Sequence, residues 1–162
     1  MKHIDDIAEN IEEYVSIISI LEMVCKSYKI ALNASPLINF RDAMSHYILL
    51  YEADSDEKKI AEESSIEEHL FRGAKDAIVL ILSEMKHRAS KALDKLALDS
   101  WQKQCDIRKI LHKYKDLELE IRGNTESAFT RDLRSFLVKL DALINETQKT
   151  FALYGLPFPV LR

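Results

Sequence analysis

Apolar residues recur along this chain at steps of three and four, the period of an amphipathic helix. Ile7, Ile11, Tyr14, Ile17, Leu21 and Val24 trace the first stripe, which predicts a helix over about 4–30. The stretch Asn33 to Pro36 then resets the chain. Asn33 or Ser35 can cap a new helix, and Pro36 suits its first turn. That second helix is predicted to about residue 53, with Leu37, Phe40, Ala43, Met44, Tyr47, Ile48, Leu50 and Tyr51 as its core face. Asp54 or Ser55 can cap a third. Inside it Ser65-x-x-Glu68 reads as a capping box, which predicts a break or kink near Ser64. Leu70, Phe71, Ala74, Ile78, Ile81, Leu82 and Met85 then form a run expected to be buried, with an end or bend around 87–91. A fourth segment is traced by Leu93, Leu96, Trp101, Ile107, Ile110, Tyr114, Leu117 and Ile121, and Gly123 suits its C-terminal stop. Leu133, Phe136, Leu140, Leu143, Ile144 and Thr147 trace a fifth, ended by Gly155. No strand is predicted. The expected fold is all-α, an up-and-down bundle of four to five helices over 1–155, with 156–162 an apolar tail packing back on it.

Composition narrows this picture little but usefully. With only three Gly and three Pro in 162 residues, the chain is neither disordered nor an all-β fold, which would need a turn about every ten residues. Cys25 and Cys105 both fall inside helical stripes and read as free thiols of a reducing compartment. The longest apolar run, Ala77 to Leu82, is too short to span a bilayer, and the acidic opening Met1 to Asn10 lacks an apolar signal core. A cytoplasmic protein without membrane partners is expected. A net charge of −4 argues against a general duplex-DNA binder, while leaving room for a site that engages one or two phosphates.

The second helix carries the chemistry. At about 100° per residue, Arg41 and His46 lie outside its predicted core face, about 140° apart. Between them fall Ile38, Asp42, Ser45 and Leu49. A second face that is partly apolar suits contact with another chain, and Ile38, Ser45 and Leu49 are the expected dimer face. An imidazole can give or take a proton near neutral pH, and a guanidinium fork fits phosphate oxygens. The residue types therefore suit phosphoester chemistry.

The stretch FRDAMSH, with Arg41, Asp42 and His46, resembles the motif of the HEPN superfamily (higher eukaryotes and prokaryotes nucleotide-binding domain): Arg, then Asn, Asp or His, three residues, then His. The resemblance implies an all-α bundle, usually dimeric, in a family with many metal-independent endoribonucleases of toxin–antitoxin, CRISPR and anti-phage systems. It implies that Arg41 and His46 act on RNA across a two-fold axis, with Asp42 orienting one of them, and that an antitoxin or defence protein is a partner. The helix that follows, HLFRGAKDAIVLIL, is also similar to the helix after the motif in bacterial relatives. The last two helices carry no match. A second reading stays open: a non-catalytic helical dimer that binds a partner protein or a nucleotide.

The other candidates are weaker. Glu84-x-x-His87 has the spacing of a di-iron ligand pair, but no second such pair exists, so no metal and no other cofactor is expected. His69 and His87 read as surface or core-edge residues. Lys86, Arg88, Lys91, Arg108, Lys109 and Lys113 form either solvated helix faces or an RNA groove beside the site, read by charge alone. The Phe-Arg-x-Ala shared by Phe40 and Phe71 occurs only twice and does not make a repeat.

Overall fold

The computed structural model describes residues 4–96, 100–123 and 126–157, with side chains described for 6–96, 100–123 and 133–157. Five helices follow one another: α1 (Ile4–Tyr28), α2 (Ala34–Glu52), α3 (Asp56–Asp94), α4 (Trp101–Gly123) and α5 (Glu126–Leu153). Among the described residues there is no strand. The chain is an all-α bundle.

Local chemistry sets three of the boundaries. The Asn33 side chain accepts the Ser35 N–H at 2.9 Å and starts α2, while Ser55 accepts the Lys58 N–H and starts α3. Gly155, at φ 63°, ends α5 in a left-handed turn, with the Leu156 N–H returning to the Phe151 carbonyl at 2.9 Å. The break expected near Ser64 does not occur. α3 runs unbroken for 39 residues, and the Ser65 hydroxyl donates to the Ala61 carbonyl within the helix instead of capping a new one. The physical reason is register: Ile66, Leu70 and Phe71 already belong to the buried stripe that continues to Met85 and Ala89. Leu93 accordingly belongs to α3, and Trp101, expected in the core, opens α4 at 66% exposure.

α3 is the spine, touching the other four helices. Ile66, Leu70, Ile78, Ile81 and Leu82 meet Ile7, Tyr14, Ile17 and Leu21 of α1, Ile110 and Tyr114 of α4, and Phe136 and Leu140 of α5 in one apolar cluster. A smaller cluster of Ala89, Ile107 and Phe151 receives Leu156, the start of the predicted tail; 158–162 lie outside the described residues. Thr147, buried between α4 and α5, is fully satisfied: its hydroxyl donates to the Leu143 carbonyl and accepts from Tyr114, each at 2.7 Å.

One glycine sets the spacing of α2 against its neighbours. A Cβ at Gly73 of α3 would collide with the Tyr14 hydroxyl and crowd Asn39 Cβ at 2.9 Å. Without one, Tyr14 reaches under α2, stacks on Phe40 at 5.4 Å and donates to the Pro36 carbonyl at 2.5 Å. The α2–α3 seam is therefore tight at the point where the candidate site begins.

Candidate functional site

α2 packs chiefly along α3, and its orientation differs from the expected one by part of a turn. Pro36, Ala43 and Leu50, spaced by seven, are the buried positions, with Phe40 and Tyr47 half-buried beside them. Leu37, Ile48 and Tyr51, predicted for the core, are 43%, 61% and 65% exposed. The helix is apolar on nearly every side, so its hydrophobic pattern alone could not choose the face that turns inward. Cross-helix polar contacts and the Gly73 approach accompany the observed choice.

Those polar contacts run antiparallel down the seam. The Ser35 hydroxyl donates to Asp76 at 2.6 Å. One turn on, Asn39 Oδ1 meets His69 Nδ1 at 3.4 Å, and Asn39 Nδ2 donates to the Ser35 carbonyl at 3.0 Å. Two turns further, His46 Nδ1 meets Glu62 Oε2 at 2.6 Å. His46 and His69 also touch each other, their rings stacked with centroids 5.3 Å apart and planes 19° apart. A carboxylate only accepts, so Glu62 places the His46 hydrogen on Nδ1 and leaves Nε2 free to work. Both partners are about two-thirds buried, His46 at 31% exposure and Glu62 at 24%.

Arg41 stands apart from this seam. Its Nε and Nη2 both donate to the Asp42 carboxylate, at 2.9 and 2.7 Å, and the side chain is 72% exposed. Asp42 therefore orients Arg41, and the carboxylate on His46 is Glu62. Around Arg41 lies the outer face of α2, with Ile38 and Leu49 at 46% and 45% exposure, and Ser45 exposed with its hydroxyl returned to the Arg41 carbonyl at 3.1 Å.

The basic residues are mostly engaged by the bundle's own acids. Lys86 pairs with Glu118, Arg88 with Glu84 at 2.6 Å, Lys109 with Asp106 at 3.2 Å and Lys113 with Glu146 at 2.6 Å. Glu118 is held below the ordinary glutamate range by Lys86, with Arg122 adding to the effect. Arg88 also lies over the Tyr28 ring at 4.2 Å and, with Lys91, lines a cavity of about 500 Å³ near Leu156. Arg108 is exposed on α4. Position 88 lies about 39 Å along α3 from position 62 at 1.5 Å per residue, so this cationic end and the histidine seam are separate regions.

Sequence reading gave no role in the seam to Glu62, Asn39 or Asp76, and placed His69 only as a surface or core-edge residue. Glu62 and His69 are seven apart, two turns on one side of α3, and Asn39 and His46 repeat that spacing on α2. That matched spacing of seven on the two helices was the available signal. Among the described residues no group of three or more His, Cys, Asp and Glu side chains is placed to hold a metal ion. No described helix is long and apolar enough to cross a membrane. No family model, curated protein or solved structure matches the chain.

Proposed function

We propose that this chain is a HEPN-like, metal-independent endoribonuclease of the toxin or defence type, acting as a homodimer. The observation that carries the reading is the 2.6 Å contact from Glu62 of α3 to Nδ1 of His46, the histidine of the Arg41-Asp42-x3-His46 match. It gives the motif histidine a held ring and a single neutral tautomer, which a solvated surface histidine would lack. In the reaction the 2′-oxygen of the RNA attacks the neighbouring phosphorus and the 5′-oxygen leaves, taking up a proton as it does so. The products are a 2′,3′-cyclic phosphate and a 5′-hydroxyl. His46 Nε2 takes the 2′-proton, and Glu62 stabilises the imidazolium that forms. Arg41, held by Asp42, stabilises the charge on the phosphorane.

Arg41 and His46 leave α2 about 140° apart, which favours a composite site in which Arg41 of one protomer serves His46 of the other. The exposed Ile38 and Leu49 beside Arg41 suit the self-complementary contact of such a dimer. The same apolar face also favours the second reading, a non-catalytic dimer that holds a partner such as an antitoxin.

Cleavage of a broad RNA pool in EDTA separates the two. Cleavage that leaves cyclic-phosphate ends and disappears in His46→Ala and Arg41→Ala supports the nuclease. A folded, dimeric wild type that cuts nothing overturns it in favour of the binding module.

A further inference from the structure

We propose that His69 is the proton donor of this site, so that one protomer carries both proton-transfer rings, His46 and His69. The proposal rests on the ribonuclease reading and deepens it.

The geometry points there from both rings. Asn39 Nδ2 is committed to the Ser35 carbonyl at 3.0 Å, so Asn39 turns its oxygen toward His69, and that oxygen accepts from His69 Nδ1–H. Glu62 does the same for His46. Each ring is thus anchored through Nδ1, and each leaves Nε2 as its working atom. The rings lie nearly parallel with centroids 5.3 Å apart, so the two imidazoles share one part of the α2–α3 seam. Ile66 and Leu70, beside His69 on α3, are buried, and the close approach at Gly73 fixes Asn39 against α3 one turn away. The proposed reaction already gives the 2′-proton to His46, which leaves His69 as the ring that supplies a proton to the 5′-oxygen.

The step balances. As the bond from the 2′-oxygen to phosphorus forms, its proton passes to His46 Nε2. As the bond from phosphorus to the 5′-oxygen breaks, the imidazolium of His69 gives its Nε2 proton to that oxygen. Solvent returns the proton from His46 to His69 before the next turnover.

The test compares two substrates with the full-length protein. Uridylyl-adenosine needs its leaving oxygen protonated, whereas uridine 3′-(4-nitrophenyl phosphate) releases a nitrophenolate that does not. His69→Gln is expected to slow cleavage of the dinucleotide about 10²-fold and to leave the aryl ester within a few-fold of wild type. His46→Ala is expected to lose both. Equal loss on both substrates by folded His69→Gln, or no loss on either, overturns the donor role. A wild type that cleaves neither substrate defeats the ribonuclease reading itself. Nitrogen-15 NMR of histidines in the wild type gives a readout free of substitutions: the uncharged His69 ring is expected to carry its hydrogen on Nδ1. A hydrogen on Nε2 overturns the proposal.

Discussion

Glu62, on the first turns of α3, places a carboxylate oxygen 2.6 Å from Nδ1 of His46, near the end of α2. The two residues lie on different helices, so the contact both ties α2 to α3 and decides which imidazole nitrogen is left over. A pair this far from fully buried contributes about 0–1 kcal/mol to stability. Its consequences are therefore expected in activity rather than in folding.

Glu62→Gln keeps the size of the side chain and removes its charge. The expected result is a fall in kcat of about 10²-fold, with a thermal midpoint close to wild type. Because Glu62 acts through His46, the double variant with His46→Ala is expected to be no worse than His46→Ala alone. Additive losses, measured on the same RNA, would contradict that dependence.

Gly73→Ala tests the seam itself. The new methyl group meets the Tyr14 hydroxyl and Asn39 Cβ, and Tyr14 is fully buried with its hydroxyl committed to the Pro36 carbonyl. Overpacking of this kind costs about 1–3 kcal/mol, read by urea denaturation. Gly123→Ala, where an added Cβ meets nothing, is the matched control and is expected to be neutral or stabilising.

The ion pair between Lys86 and Glu118 links α3 to α4 and carries a pH signature. Lys86 first, and Arg122 after it, hold Glu118 below the ordinary glutamate range. A depressed carboxylate contributes stability above its unfolded value and loses it as pH falls through the folded one. The stability gap between wild type and Glu118→Gln is therefore expected to be full at pH 7 and to close progressively below about pH 4. Denaturation at several pH values reads it.

How much of this was legible beforehand depends on the range of the interaction. Asn33, Ser55 and Gly155 act on their own neighbours in the chain, and each lies at the boundary its residue type suggested. Ser65 did not, because the long buried stripe through Ile66 and Leu70 outweighs a local cap. Arg41, Asp42 and His46 could be read as a spacing along one helix. Glu62, His69 and Asn39 could not, because their roles exist only once α2 has turned a particular face to α3. With Leu37, Ile38, Ile48 and Leu49 spread over the alternative face, the hydrophobic pattern of α2 was nearly indifferent to that choice.

That alternative face makes its own prediction. Leu49→Lys adds a charge at the centre of the proposed dimer contact, and sedimentation is expected to shift toward the mass of a single 18.7 kDa chain. Lys substituted at Val138, an exposed apolar residue on α5, is expected to leave the mass unchanged.

The most direct measurement mixes two dead proteins. Arg41→Ala and His46→Ala, each inactive alone, are unfolded together, refolded and assayed on RNA. Random pairing makes half of the dimers mixed, and each mixed dimer holds one site with both residues intact, so about a quarter of wild-type activity is expected to return. A mixture that stays inactive, beside an active wild type treated the same way, would contradict a site shared across α2.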